Sequence, residues 1–130
     1  MERMPLRFIQ ASLVYGLVGG VAGIWWLPAA TVNQESILYL YLLAMGWLGM
    51  LGCGIAYHAL PRFVGRPLHS RRMAVWHFYS ANLGIVGAVV VLALAPERGW
   101  QAARLFAAVV ALGLLLFAVN LWRTVSPAPD

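Results

Sequence analysis

The sequence predicts an all-α membrane protein with four transmembrane helices, and two observations support this fold class. Of its 130 residues, 62% are apolar and only 10% are charged, with a mean hydropathy of +0.79. Soluble domains of ordinary composition carry about 25% charged residues. Four apolar stretches also approach the about 20 residues that a helix needs to cross the hydrocarbon core. This composition excludes a soluble enzyme, and it excludes a disordered chain because disorder requires low hydrophobicity.

The four predicted spans follow one another with short breaks between them, in a single domain of residues 1–130. They cover residues 8–27, 37–60, 73–95 and 102–119. Pro28, Pro61 and Pro96 each follow a span, where a proline ends a helix because it lacks an N–H donor. The first stretch exceeds the about 7–15 apolar residues of a signal-peptide core, so we interpret it as a retained helix.

The positive charges predict how the helices are oriented. The net charge is +5, and all nine basic residues other than histidine are arginines. With four spans, one side of the membrane carries Arg3, Arg7, Arg62, Arg66, Arg71, Arg72 and Arg123. The positive-inside rule therefore places both termini and the middle loop in the cytoplasm. Nucleic-acid binding by this loop is the weaker interpretation, because Phe63 is its only aromatic residue.

Few polar side chains lie within the spans, and two histidines are the candidate ligands among them. His58 lies three residues before Pro61 and His77 five after Arg72, so both lie about one turn inside the same membrane face. Imidazoles at one depth on consecutive antiparallel helices could ligate a metal or a haem iron together. The alternative is that each histidine hydrogen-bonds a carbonyl of the loop. No acidic residue lies in any predicted span, so a proton relay lacks its usual carrier.

Small residues recur every four positions in each span, which predicts close helix packing and self-association. Examples are Ser12, Gly16 and Gly20 in the first span, and Ser80, Gly84 and Ala88 in the third. The soft ligands Met45, Met50 and Cys53 could hold Cu(I), but core filling is the favoured interpretation because the two methionines do not share a helix face.

One segment is similar to a known family. Residues 54–87 read GIAYHALPRFVGRPLHSRRMAVWHFYSANLGIVG. They resemble subunit I of the haem–copper oxidases, and its small four-span relatives, around the loop that joins two late helices. The shared motif comprises Pro61-Arg62, Gly65-Arg66 and His77-Phe78, with Gly46-Trp47 upstream. The resemblance covers the second and third spans and implies a module of the oxidase subunit I fold.

The resemblance also implies where a cofactor would bind. The family carries a His-x-His haem-ligand pair near the outer start of the helix before this loop, and those positions are Tyr39 and Tyr41 here. No other predicted helix supplies the copper-binding histidines, so we do not expect this chain to reduce oxygen. His77 matches a family histidine that is not a metal ligand, whereas His58 replaces an aromatic residue. Subunit I groups twelve helices in three sets of four, which implies a homo-oligomer, with a trimer as the first expectation.

Two functions follow as hypotheses for a protein of the bacterial inner membrane. The first is an accessory or structural module that self-assembles or joins a respiratory complex. The second is an electron-transfer or gas-sensing protein that binds haem b through His58, with or without His77. A channel or transporter is disfavoured, because no broken helix pair and no deep charge marks a path through the membrane.

Overall fold

The computed structural model describes residues 3–26 and 34–126, and these form four helical spans. The first span is α1 (Arg3–Trp26). The second is a continuous helix in three parts: α2 (Gln34–Tyr41), a π-helical stretch π1 (Leu42–Gly49) and α3 (Met50–Phe63). The third is α4 (Arg71–Leu94) and the fourth is α5 (Trp100–Val125). All four spans are long and apolar enough to cross a membrane, which confirms the predicted fold class.

The helices extend beyond several predicted span ends: α1 begins at Arg3, α3 includes Pro61 and continues to Phe63, and α5 continues to Val125. Helical hydrogen bonding resumes after the proline, where the Val64 amide donates to the Leu60 carbonyl over 3.1 Å. Pro96 does follow the end of α4, as predicted. Pro28 and the side chains of Trp25 and Trp26 lie outside the described residues.

The chain leaves α3 through a Schellman turn, which is why Gly65 occurs there. Its φ of 65° lies in the left-handed region, which glycine adopts without a Cβ clash. The Gly65 amide donates to the Arg62 carbonyl over 3.2 Å, and the Arg66 amide to the Pro61 carbonyl over 3.0 Å. These bonds satisfy carbonyls that the end of the helix leaves free. The middle loop therefore starts from a fixed direction.

Helices α4 and α5 form the closest pair, because glycines let their backbones approach. A Cβ on Gly84 would lie 2.7 Å from the Phe106 carbonyl oxygen and 3.0 Å from the Val110 amide nitrogen. From the other side, a Cβ on Gly113 would lie 3.2 Å from Cδ2 of His77. The small-residue ridge predicted for the third span thus faces α5, as close packing in lipid requires.

The first and second spans pack by placing aromatic rings over glycines. Cδ1 of Trp47 lies 2.8 Å from where a Gly16 Cβ would be, and Cγ of Tyr15 lies 2.7 Å from a Gly46 Cβ. Trp47 is the one tryptophan that lies deep within a span, away from the interfaces, and this packing gives the reason. Its ring fills the groove that Gly16 leaves open.

The outer surface of the bundle is apolar on every span. Leu17, Leu94 and Leu105 are each more than 70% exposed. A water-soluble protein does not expose apolar patches of this extent, so lipid is the solvent of this surface. Three tryptophans near helix ends are also exposed, as interfacial anchors require: Trp76, Trp100 and Trp122.

Replacing Gly84 by alanine tests the contact between α4 and α5. We expect Gly84→Ala to lower the free energy of unfolding in detergent by about 1–3 kcal/mol, because the added methyl group meets backbone atoms that cannot rotate away. The matched control is Gly52→Ala, where a Cβ meets nothing within 4 Å. This control should be neutral or stabilising by up to about 1 kcal/mol. Equal effects of the two substitutions would contradict the packing described here.

Candidate functional site

The loop end of the bundle, where residues 64–70 join α3 to α4, holds a buried polar pair. The Tyr57 hydroxyl lies 3.1 Å from Nδ1 of His77. Tyr57 is 2% exposed and His77 is 1% exposed. The pair joins α3 to α4, since Tyr57 lies on α3 and His77 on α4. A buried hydrogen bond of this kind stabilises the fold, because either group would lose free energy if it were buried without its partner.

Aromatic side chains from the other two spans close around His77. The ring of Phe8, on α1, has its centroid 4.9 Å from that of His77, and the ring of Phe117, on α5, lies at 5.2 Å. Phe8 also packs on Tyr57 at 5.3 Å. His77 therefore lies in the packed centre of all four spans, and its ring is a structural element of that core.

A second polar cluster fixes the loop against α5. The Asn120 side chain bonds both backbone groups of Ser70: Oδ1 accepts from the amide and Nδ2 donates to the carbonyl, each over 2.8 Å. Oγ1 of Thr124 accepts from the His69 amide over 3.0 Å. The Ser70 hydroxyl in turn caps α4 by accepting from the Met73 amide over 3.3 Å. These contacts fix both the end of the loop and the start of α4.

The two clusters lie next to each other, because the ring of Tyr57 packs edge-on against Phe117, three residues before Asn120 on α5, with centroids 5.2 Å apart. Another polar pair lies deeper in the bundle, where the Tyr15 hydroxyl donates to Oδ1 of Asn82 over 2.9 Å. In the described part of the chain, no buried side-chain nitrogen or oxygen lacks a partner.

His58 has a different environment from His77. It is half-buried, and its Nε2 lies 2.6 Å from Nη1 of Arg62. Because a guanidinium only donates, Nε2 of His58 is the acceptor in this contact. His58 also lines a cavity of about 290 Å³, which Arg62, Arg66 and Pro5 line as well. The partners of the two histidines are therefore Tyr57 and Arg62 rather than loop carbonyls.

The residues predicted as a histidine pair thus have separate partners, one in the core and one at a cavity. Within residues 3–26 and 34–126, no group of three or more His, Cys, Asp or Glu residues comes together. Met50 and Cys53 are 2% and 8% exposed and belong to the apolar core, as the core-filling interpretation requires.

The tyrosines at the implied haem-ligand positions take part in helix packing. The Tyr39 ring lies against α1, with Cε2 2.8 Å from where a Gly23 Cβ would be. Tyr41 lines a cavity of about 200 Å³ between α2, α4 and α5, together with Leu38, Trp100 and Arg104. A tyrosinate ligand needs a nearby positive charge to be stable in lipid. Tyr39 is in contact with α1, whereas Tyr41 shares its cavity with Arg104.

The arginines of the middle loop are all exposed, and two of them have defined contacts. Besides the contact between Arg62 and His58, Nη1 of Arg66 donates to the Ser126 carbonyl over 2.7 Å. His69, which the loop also carries, is exposed, with Nε2 3.5 Å from Nη1 of Arg123. Arg71 and Arg72 begin α4 and are exposed.

Comparison with known proteins identifies relatives of the chain. It is 32% identical to "Cytochrome c oxidase subunit 1" of Rhodobacter capsulatus, over 66% of this chain and 21% of that protein. It is 27% identical to "Cbb3-type cytochrome c oxidase subunit CcoN1" of Stutzerimonas stutzeri, over 95% of this chain and 33% of that protein. The chain is distantly related to subunit I of the haem–copper oxidases.

A shorter match has higher identity. "Cytochrome c oxidase subunit 1 homolog" of Agrobacterium tumefaciens (strain T37) is 46% identical over 44 residues, which are 33% of this chain and 8% of that protein. The chain thus spans a third or less of the length of these curated relatives. No family model matches the chain. No solved structure matches it. The oxidase relationship predicted from the loop motif is therefore supported.

A double-mutant cycle tests the bond between Tyr57 and His77. We expect Tyr57→Phe to lower the free energy of unfolding by about 1–3 kcal/mol, because it leaves a buried imidazole nitrogen without its partner. Tyr79→Phe is the control, since Tyr79 is 55% exposed, and should change it by less than about 0.5 kcal/mol. The double variant Tyr57→Phe/His77→Phe should lose less than the sum of the two single variants. Strict additivity would contradict the contact.

Proposed function

We propose that this chain is an integral membrane assembly module related to haem–copper oxidase subunit I, and that it does not itself reduce oxygen. The observation that carries this proposal is that the buried polar side chains have hydrogen-bond partners within the protein. The Tyr57 hydroxyl and the His77 ring bond each other, and the Asn120 side chain bonds the backbone of Ser70, so these groups are occupied in holding the bundle together.

Self-assembly is supported by small residues on the outer surface of the bundle. Gly20 and Gly52 are exposed, and a Cβ on either would meet nothing within 4 Å. Ala107 and Ala111 are exposed on α5. Small residues that face lipid allow a further helix to approach closely. We propose a homo-oligomer, with three copies as the number that would match the helix count of subunit I.

A respiratory context is supported by the relatives, which are named as cytochrome c oxidase subunits of bacteria. We propose the bacterial inner membrane as the location and a respiratory complex as a partner, with both termini and the middle loop in the cytoplasm. The arginine distribution supports that orientation. Haem binding through His58 receives less support, because a ligand at Nε2 would have to displace Arg62.

Absorption spectroscopy tests the absence of haem binding in this proposal. Protein produced with ample haem and purified in its folded form should show no Soret band. The variant Arg62→Gln is measured as well, because it frees Nε2 of His58 and is therefore the form most able to bind haem. A Soret band in the wild-type protein that is lost in His58→Ala would establish the haem-binding alternative instead.

Cross-linking in native membranes tests self-assembly. We expect a trimer, and we expect Gly20→Leu to reduce it because the larger side chain blocks close approach of a neighbouring helix. Val18→Leu is the control, since Val18 is 50% exposed on the same helix and is already large. A monomer as the only species would contradict self-assembly, whereas a dimer or tetramer would contradict the stoichiometry alone.

A further inference from the structure

The cavity beside His58 has the shape and charge of an anion site at the membrane surface. Its volume is about 290 Å³, and it lies between the start of α1, the end of α3 and the middle loop. Arg62 and Arg66 line it on the loop side, and Pro5, Pro61 and Leu68 supply apolar wall. We propose that this cavity binds the phosphate headgroup of an acidic phospholipid.

The charge around the cavity favours an anion. Arg62 and Arg66 bring two positive charges, and among the described residues no acidic side chain lines the cavity. In the part of the chain whose side chains are described, the only acidic residue is Glu97, in the turn between α4 and α5 at the other end of the bundle. Basic pockets between membrane helices bind acidic headgroups because their charges are screened less than those on an open surface.

The two guanidinium groups are held in place before any ligand arrives. Nη1 of Arg62 contacts His58, and Nη1 of Arg66 donates to the Ser126 carbonyl. Each guanidinium has five N–H donors, so each retains free donors for phosphate oxygens. The Schellman turn at Gly65 fixes the spacing of the two arginines. Binding therefore orders few additional side chains, which favours affinity.

The position of the cavity favours a lipid over a free phosphate as the source of that anion. Phe63, which ends α3 one residue after the lining residue Arg62, is 85% exposed, and Val64 follows at 36% exposed. Exposed apolar residues next to arginines place this surface at the boundary between headgroups and acyl chains. A phosphate held by Arg62 and Arg66 would have its acyl chains beside Phe63.

Native mass spectrometry of the purified full-length chain with defined lipids tests the proposal. Phosphatidylglycerol is the acidic probe, phosphatidylcholine the neutral one, and inorganic phosphate the competitor. We expect phosphatidylglycerol to be retained preferentially. Arg62→Gln and Arg66→Gln should each weaken its retention about fivefold, from the roughly 1 kcal/mol that a basic residue contributes near an acidic surface.

The matched control is Arg71→Gln/Arg72→Gln, which removes two exposed charges from the start of α4, at the same end of the bundle, without touching the cavity. It should leave preferential retention unchanged. If the control weakens retention of phosphatidylglycerol as much as the cavity variants do, the lipid is attracted by surface charge in general. That result would refute the proposed site. Equal retention of both lipids refutes it as well. Retention of inorganic phosphate without any lipid preference would show that the anion is free phosphate and overturn the lipid assignment.

Circular dichroism should show unchanged helix content in each variant. If either glutamine variant unfolds, Arg62→Lys and Arg66→Lys take its place, because lysine keeps the charge but lacks the planar fork that binds phosphate through two N–H groups. These variants should still prefer phosphatidylglycerol, with weaker retention than the wild-type chain. Unchanged retention in both lysine variants would exclude the guanidinium groups as the headgroup ligands.

Discussion

The absence of water in the bilayer core is the constraint on which the rest of this structure depends. A polar side chain in a membrane span must find its partner within the protein, because lipid offers none. Tyr57 meets this requirement with His77, and Asn120 meets it with the backbone of Ser70. Since the ring of Tyr57 also packs on Phe117 of α5, these contacts set the relative positions of α3, α4, α5 and the loop before α4.

Close packing by small residues supplies the remaining stability, because apolar contact between helices is hardly better than apolar contact with lipid. Gly84 brings α4 against α5, and Gly16 accommodates the ring of Trp47. The aromatic rings around His77 extend the same packing to the loop end. A bundle filled in this way has its polar groups paired and its centre packed, which is the physical basis for proposing an assembly role without oxygen chemistry.

Hydropathy and spacing were sufficient to predict the four helices, because crossing lipid requires long apolar segments. The loop motif was sufficient to predict the oxidase relationship. Hydrogen-bond partners were harder to predict, since they depend on how helices are rotated against one another. His58 and His77 share a predicted depth, yet one faces Arg62 and the other Tyr57. The contact between Asn120 and Ser70 joins residues fifty positions apart, and no local pattern marks it. Pro61 was predicted to end a helix that in fact continues to Phe63, where the Schellman turn ends it.

Our central proposal is that His77 is bonded to Tyr57 and His58 to Arg62, so that neither histidine is available to a cofactor. Nuclear magnetic resonance of the chain in lipid bilayers, with ¹⁵N-labelled histidine, measures this directly. The Nδ1 signal of His77 should show a hydrogen bond that disappears in Tyr57→Phe, and the signals of His58 and His77 should stay unchanged when haem is added. A shift or paramagnetic loss of either histidine signal on addition of haem would contradict the claim.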